Sequence, residues 1–367
     1  GNGVLYRRGF DKERNGSFQV DSFENEFSQY LEVKNSIAVT SGTASLRVAL
    51  AALGVKKDDK VITQAFTFVA TVEAIVESGA TPVCINIGDD LNLDPEELEA
   101  AIDKDTKAVI VVHMLGNPAK LDLIKQICIK KNIFLIEDTA WGCGGSFNKE
   151  KLGTIGDIGC FSFDYAKTMT TGEGGMLVTN NDIIADKIRA WQDHGHENNP
   201  KFARWEDSRS SSGFNYRMME LQGAIGRVQL KKLDFIVDKQ RNNSNYIVSN
   251  LLLNNFSARI NHKESYSTCD ALLINVGSFE LAKSIRNKLL SEGLSTKILP
   301  EAYTWHFAST WDHIPELLYG AKHENNPKSI LLSENLIKNY ISIPIFVNMS
   351  KEVLDLYISV VNSYEKK

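Results

Sequence analysis

Nearly continuous apolar runs alternate with amphipathic helical patterns along the first two-thirds of the chain. Residues 108–113 and 133–138 are two such runs, short and rich in Val and Ile, which is typical of strands buried on both faces. Between them Leu121, Ile124 and Cys128 recur at helical spacing. Strands that alternate with helices predict an α/β fold with a largely parallel sheet, because the connecting helices cover both faces of the sheet.

The pattern changes near residue 215. One helical pattern runs over 219–239 and another over 243–253, and short strands mixed with helices follow. The chain has 367 residues, which favours two domains of the usual size. We therefore expect a large domain over 1–230 and a smaller C-terminal α/β domain over 231–367.

Composition and charge exclude several classes of protein. The 41 Lys and Arg against 46 Asp and Glu give a formal net charge of −5, which argues against general binding to nucleic acid or a membrane surface. No stretch approaches the roughly 20 apolar residues of a transmembrane helix, and the N-terminus lacks the apolar core of a signal peptide. The five scattered cysteines are typical of reduced thiols. We expect a cytoplasmic protein without a metal site, whose natural chain starts before the Gly at position 1.

A cluster of small and hydroxylated residues precedes one predicted helix. Residues 40–45 read Thr-Ser-Gly-Thr-Ala-Ser, directly before a helical pattern. The free backbone N–H groups of such a helix start can bind an anion, usually a phosphate. An ordinary capped helix start would have the same sequence, so the segment alone leaves both interpretations open.

Asp138 ends the second apolar run. Ligands of open α/β sheets bind beyond the carboxyl ends of the strands. A carboxylate placed there needs a cationic or hydrogen-bonding partner, because burial of an unpaired charge is costly. A cap for the following turn is the alternative.

Lys167 lies between an apolar strand that contains Ser162 and the glycine-rich segment 171–175. A desolvated lysine in such a place can form a Schiff base, whereas an exposed surface amine is the common alternative. Asp138 precedes Lys167 by 29 residues. A Schiff-base lysine, an acid for a ring nitrogen and a phosphate-binding helix start together predict a site for pyridoxal 5'-phosphate (PLP).

Six segments together resemble the DegT/DnrJ/EryC1/StrS family of sugar aminotransferases. They are residues 41–46, 66–71, 137–140, 161–167, 171–175 and 215–217. The resemblance covers essentially the whole chain. It implies the aspartate-aminotransferase-like, type I fold of PLP-dependent transferases and a homodimer with shared active sites. It also implies PLP as cofactor, with the pyridoxamine form arising during turnover.

The resemblance implies the roles of the two catalytic residues. Lys167 would carry the cofactor as a Schiff base and move the proton, and Asp138 would keep the pyridinium nitrogen protonated. Dehydratase members of the fold have His in place of this lysine, so Lys167 favours transamination. The third residue after Asp138 is commonly Gln or His in the family, but here it is Trp141, which can donate one hydrogen bond and accept none.

Five further residues match cofactor-binding positions of the family. Thr43 and Ala44 would bind the phosphate through backbone N–H groups, and Ser162 through its hydroxyl. Phe68 matches the aromatic residue that stacks on the cofactor ring. Asn215 matches the residue that reaches the phosphate from the neighbouring subunit. Core packing for Phe68 and a helix cap for Asn215 are the simpler alternatives.

Members of the family aminate keto sugars, mostly nucleotide-linked ones, with glutamate as the usual donor. Segments 113–116, 191–197 and 303–306 are most similar to the branch that aminates C8 of an oxidised 3-deoxyoctulosonate. We therefore expect 8-oxo-3-deoxyoctulosonate as the acceptor, in surface-polysaccharide or amino-sugar biosynthesis. A nucleotide-linked keto-deoxyhexose is the alternative acceptor, and a non-catalytic PLP-binding regulator is the alternative of another class. His194 and Arg217 are the expected substrate-binding residues.

Overall fold

The computed structural model describes residues 3–7, 9, 11–199, 201–301, 303–320 and 330–365. Its strands are β1 (Asn35–Val39), β2 (Lys60–Gln64), β3 (Thr81–Ile85), β4 (Thr106–Val112), β5 (Phe134–Asp138), β6 (Ser146–Phe147), β7 (Glu150–Lys151), β8 (Ile158–Ser162), β9 (Gly175–Thr179), β10 (Ser257–Ala258), β11 (Ser265–Tyr266), β12 (Ala271–Asn275), β13 (Leu318–Tyr319) and β14 (Tyr340–Pro344). Its helices are α1 (Asp11–Arg14), α2 (Gln19–Leu31), α3 (Gly42–Ala52), α4 (Val69–Glu77), α5 (Pro95–Ala101), α6 (Leu121–Lys131), α7 (Asp182–Trp191), α8 (Glu220–Leu230), α9 (Leu233–Asn250), α10 (Phe279–Ser291), α11 (Tyr303–His306), α12 (Leu331–Lys338) and α13 (Lys351–Glu365).

Eight strands form the large sheet, in the order β1-β9-β8-β5-β4-β2-β3-β13. Neighbouring strands are parallel except at β9, which is antiparallel to both β1 and β8. The predicted largely parallel sheet of an α/β fold is confirmed. The parallel order from β8 to β3 places the carboxyl ends of β4, β5 and β8 side by side at one edge of the sheet.

Helices cover both faces of this sheet, as the alternation along β4 shows. Ala108 and Ile110 pack into one core layer with residues of α3, α4 and α7. Val109 and Val111 point the opposite way, into a layer with residues of α5 and α6. Because successive strand residues face opposite sides, an unbroken apolar run is what a strand covered on both faces requires.

The chain bends between α8 and α9, at residues 231–232, rather than near residue 240, where the helical pattern predicts a break. The helix α8 packs on α2 beside the large sheet, whereas α9 packs on α13. Both helices are amphipathic, so their apolar periodicity continues across the bend. The change of packing partner, which only the tertiary structure contains, sets the position of the bend.

A second, antiparallel sheet has the order β10-β12-β14. Residues of α9, α10 and α13 cover it and form one apolar core with it. The expected smaller C-terminal α/β domain corresponds to this unit, although its boundary at residue 231 stays a prediction. Between α10 and α12 the chain returns to the large sheet, where β13 pairs with β3 and Phe307 pairs with Phe66.

Arg259 fixes the second unit to the large sheet. Its buried guanidinium donates to the backbone oxygens of Asp90 and Met114, at 2.6 Å each, and to Asn92 Oδ1 at 3.1 Å. A buried cation with three such hydrogen bonds holds two parts of a protein in one relative position.

Across the described ranges, no helix combines the length and the apolar character needed to cross a membrane.

Candidate active site

A cavity of about 470 Å³ opens where the carboxyl ends of β4, β5 and β8 meet the N-terminus of α3. Its lining includes five of the seven residues predicted to act in catalysis or cofactor binding: Thr43, Phe68, Asp138, Ser162 and Lys167. Distant parts of the sequence thus meet at one edge of the sheet, where ligands of open α/β folds bind.

The N-terminus of α3 forms one wall of the cavity. Ser41 caps the helix, since its Oγ accepts the Ala44 N–H at 3.0 Å and its carbonyl accepts the Ser45 N–H at 3.0 Å. The N–H groups of Gly42 and Thr43 come earlier in the helix and have no partner within it. The capped helix start is observed, and the anion site at the same segment stays a prediction, in which Ala44 could bind an anion only by sharing its cap.

Ser162, at the end of β8, lies directly against this helix start. A side chain added at Gly42 would place its Cβ 2.7 Å from Ser162 Cβ and 3.0 Å from Ser162 Oγ. The absence of a side chain at position 42 therefore lets the serine hydroxyl stand beside the first N–H groups of α3. Two kinds of hydrogen-bond donor that can bind a phosphate, a hydroxyl and backbone N–H groups, lie at the same end of the cavity.

Asp138 is buried at the end of β5 and has few partners. Its Oδ2 accepts the Thr71 hydroxyl and its Oδ1 accepts the Ala140 N–H, both at 3.1 Å. Burial raises the pKa of the Asp138 carboxyl, and these hydrogen bonds and the nearby Lys167 only partly offset that effect. A cation placed in the cavity would stabilise the ionised carboxylate.

Glu137 points to the opposite face of β5. Its carboxylate accepts backbone N–H groups of Gly153, Ile155 and Gly156 at 2.6–2.8 Å, and it bonds His113 Nε2 at 3.1 Å. It is fully buried and does not line the cavity. Its place is structural, because it holds the turn before β8.

Lys167 enters the cavity from the turn after β8. Its Nζ lies 3.4 Å from the centre of the Trp141 ring. Burial lowers the pKa of the Lys167 amine to about 8, against the attraction of Asp270 and Asp138. A lysine with this pKa has a substantial neutral, nucleophilic fraction near neutral pH.

Phe68 lines the cavity and continues into an aromatic group at its mouth. Its ring stacks on Trp305 at 5.8 Å between centroids and lies 5.4 Å from the His306 ring. Trp305 and His306 also line the cavity, and they come from the segment that returns from the second unit. Phe68 therefore lines the cavity and also contacts two aromatic residues that line it.

Asn215, His194 and Arg217 do not line the cavity of their own chain. Asn215 and His194 are exposed. Arg217 donates to Asp193 Oδ1 at 2.5 Å, and Arg204 bonds the same buried carboxylate. The neighbouring His196 is paired with Asp207 at 3.2 Å. The roles of Asn215, His194 and Arg217 stay predictions; the exposure of Asn215 and His194 is compatible with an inter-subunit role, whereas the Arg217 side chain is largely buried against Asp193.

Four cavity or near-cavity residues were not predicted. Thr71 bonds Asp138, and Glu173 and Trp305 line the cavity. Lys297, paired with Asp270 at 2.6 Å, places its Nζ 4.8 Å from the Trp141 ring centre. Thr71 and Glu173 lie inside the segments that carry the resemblance, so their proximity could have been inferred. Nothing local in the sequence singles out Lys297.

The residues present fit PLP. A lysine of lowered pKa, a buried acid and a helix start beside a serine hydroxyl line one cavity, as the aldehyde, the ring nitrogen and the phosphate of PLP require. Within the described ranges, no group of three His, Cys, Asp or Glu side chains is placed to hold a metal ion.

Residues 12–362 match the model of the DegT/DnrJ/EryC1/StrS aminotransferase family. The GDP-perosamine synthase of Escherichia coli O157:H7 is 30% identical over 94% of this chain and 90% of that protein. The GDP-perosamine synthase of Vibrio cholerae is 40% identical, over 60% of this chain and only 59% of its own length. A UDP-4-amino-4,6-dideoxy-N-acetyl-beta-L-altrosamine transaminase of Campylobacter jejuni is 30% identical, over 97% of this chain and 93% of that protein.

The fold also matches a solved aminotransferase from Psychrobacter cryohalolentis, with a TM-score of 0.83, 26% identity, and coverage of 95% of this chain and 91% of that one. Fold and cavity define a PLP-dependent transferase of the type I fold. The chain belongs to the DegT/DnrJ/EryC1/StrS aminotransferase family and is a PLP-dependent sugar aminotransferase. The predictions of fold, cofactor and enzyme class are confirmed.

Proposed function

We propose that this enzyme transfers an amino group from glutamate to a keto sugar, with Lys167 as the covalent anchor of PLP. The observation that carries the assignment is that Lys167, Asp138, Ser162 and the start of α3 line one cavity. Bound PLP supplies an electron-accepting ring, and the protein supplies orientation and proton transfer.

Each residue has a task that follows from its surroundings. The neutral amine of Lys167 can attack a carbonyl and can later hold and release a proton at Nζ. Asp138 would accept the N–H of the pyridinium ring of PLP, and this cationic partner would offset the cost of burying the carboxylate. The Thr43 N–H and the Ser162 hydroxyl would hold the phosphate of PLP and so anchor the cofactor.

Replacement of Lys167 tests the anchor. We expect Lys167→Ala to lose the absorbance of covalently bound PLP and to give no pyridoxyl-lysine peptide after borohydride reduction. Lys34→Ala, which alters a lysine whose side chain is 65% exposed, should keep both signals. A reduced pyridoxyl group on another lysine of the wild-type protein would contradict the assignment.

The non-catalytic PLP-binding regulator makes a different prediction. An aminotransferase converts bound PLP to its amine form when glutamate or another donor is added, and a regulator does not. A Geobacillus stearothermophilus protein named as a pleiotropic regulatory protein is 35% identical over 60% of this chain, which keeps this alternative open to test. Failure of every amino acid donor to change the cofactor spectrum would favour the regulator.

For the acceptor, we propose 8-oxo-3-deoxyoctulosonate, on the similarity of segments 191–197 and 303–306 to the octulosonate branch. The second segment supplies Trp305 and His306 to the cavity mouth, where an acceptor would enter. Nucleotide-linked keto-deoxyhexoses are the second candidate, because the names of the relatives in Escherichia coli and Campylobacter jejuni refer to GDP- and UDP-linked sugars.

The two acceptors are separated by a single-turnover experiment. Enzyme first converted to its amine form with glutamate is mixed with each keto sugar, and the product is identified by mass. We expect the amino-octulosonate to form and the cofactor spectrum to return to that of PLP. Turnover of a nucleotide-linked keto sugar alone would overturn the octulosonate proposal and leave the aminotransferase assignment intact.

We also propose that the enzyme works as a homodimer whose interface includes α8. Leu221, Ile225 and Val228 follow one another at helical spacing, and between 38% and 54% of each is exposed. Such an apolar stripe is typical of a covered surface. The helix α8 adjoins the cavity, since Gln222 Nε2 donates to the Glu173 carbonyl at 2.6 Å and Glu173 lines the cavity.

A further inference from the structure

Trp141 occupies an unusual place for a large aromatic residue. It follows Asp138 by three residues and lines the cavity with 8% of its surface exposed. Its backbone carbonyl accepts the Thr268 hydroxyl at 3.0 Å, so the turn is held from the second unit. Its ring faces two ammonium groups, Lys167 Nζ at 3.4 Å and Lys297 Nζ at 4.8 Å.

We propose that Trp141 is a positioning residue for Lys167, whose indole face holds the ammonium form of the lysine whenever its amine is not bound to the cofactor. The proposal rests on the proposed function of Lys167 as anchor. The ring cannot accept a hydrogen bond from the lysine, because indole has one donor and no acceptor. Its face attracts a cation through the ring quadrupole, and most strongly where water is excluded.

The Trp141 ring also lies near Lys297, whose Nζ is 4.8 Å from the ring centre and is paired with Asp270 at 2.6 Å. The attraction of Asp270 raises the pKa of Lys167 and the repulsion of Lys297 lowers it, so the two charges of this pair oppose one another near Lys167. Lys167 Nζ lies closer to the same ring, at 3.4 Å from its centre. The geometry therefore favours one resting position of Lys167, against the ring and within reach of the cavity.

Other titratable groups face the same region from every element around it. They are Asp138 on β5, Cys160 on β8, Asp164 and Tyr165 on the turn before Lys167, Glu173 on the following loop, Asp270 before β12, Lys297 after α10, and His306 on α11. They are the same in variants of position 141. A change in the titration of Lys167 among such variants therefore reports the contact with the ring.

The experiment measures the titration of Lys167 in the full-length protein freed of cofactor. A small aldehyde with cyanoborohydride labels neutral amines, and mass spectrometry of the Lys167 peptide gives the labelling rate at each pH. We expect a wild-type midpoint near pH 8, because burial lowers the pKa of Lys167 to about 8. This readout needs neither PLP nor catalytic activity.

The variants separate the ring face from the volume that it fills. Trp141→Leu keeps an apolar side chain but removes the ring, so we expect the Lys167 midpoint to fall by roughly 0.5–1 pH unit. Trp141→Phe keeps an aromatic face and should stay closer to the wild type. Trp141→Met serves as a second ring-free variant if the Leu variant does not fold. Trp305→Leu removes a cavity indole that stacks on Phe68, and should leave the midpoint unchanged.

Two results would overturn the proposal. Equal midpoints in the Leu, Phe and wild-type proteins would mean that Trp141 only fills space. A higher midpoint in the Leu and Met variants would mean that the ring acts by excluding water. A failure of Lys167→Ala to abolish PLP attachment would instead remove the proposed anchor while leaving the titration result intact, so the two failures are distinguishable.

Discussion

Glu137 and Asp138 are adjacent in sequence but face opposite sides of β5, as alternation along a strand requires. Glu137 accepts three backbone N–H groups of the turn before β8, whereas Asp138 lines the cavity with only two partners. One carboxylate is committed to the fold, and the other is available to a ligand.

Matched amide substitutions should separate these two roles. We expect Glu137→Gln to lower the free energy of unfolding by about 2–3 kcal/mol, because an amide cannot satisfy three buried N–H donors as a carboxylate does. Asp138→Asn should change stability by less than about 1 kcal/mol but weaken PLP binding roughly 10–100-fold. Denaturant unfolding of the cofactor-free protein and PLP titration measure the two effects. Equal stability losses in both variants would contradict this division.

At the residue scale the sequence predicted the chemistry well. Lys167, Asp138 and Ser162 are residue types that PLP needs, and the local pattern places Asp138 and Ser162 at strand ends and Lys167 in the segment that follows one of them. Lys297 and Asp270 could not be predicted, because their nearness to Lys167 depends on how the second unit packs against the large sheet.

At the element scale, the start of α3 and the end of β8 act as one unit. Gly42 permits this contact, since a Cβ there would lie 2.7 Å from Ser162 Cβ. A glycine at a helix start does not by itself indicate an anion site. Here the hydroxyl of Ser162, on another element, lies beside Gly42 and supports that interpretation.

We expect Gly42→Ala to cost about 1–3 kcal/mol of stability through overpacking, and to weaken PLP binding by moving the helix start away from Ser162. In the double variant Gly42→Ala/Ser162→Gly the clash is relieved, so stability should recover while PLP affinity stays low. Ser162→Ala alone, which keeps the Cβ, should retain full stability. A Gly42→Ala protein with wild-type PLP affinity would disprove the close contact. Thermal unfolding and cofactor titration provide both readings.

The helices α8 and α9 show where element prediction reached its limit. Apolar periodicity located both helices but placed the break about nine residues too late, near 240 instead of 231–232. Periodicity reports which residues are buried, not which partner buries them. The strands β4 and β5 were easier to predict, because each is covered on both faces and is apolar along most of its length.

At the scale of the whole molecule, the apolar stripe of α8 is the surface on which the proposed dimer depends. We expect Val228→Asp to give a monomer in sedimentation experiments and to weaken PLP binding, since α8, which carries the stripe, adjoins the cavity through Gln222 and Glu173. Ile129→Asp provides a matched control, because Ile129 is 70% exposed on α6 and belongs to no such stripe. A wild-type protein that is already monomeric would contradict the dimer.

The sequence by itself determined the fold class and the cofactor chemistry, because periodicity records burial and because a lysine, an acid and a small-residue helix start have few other uses together. Only the tertiary structure decided that Glu137 supports the turn before β8 while Asp138 lines the cavity. It also decided that Trp141 and Lys297 lie near Lys167. These contacts join residues far apart in the chain, and a single sequence contains no record of distance.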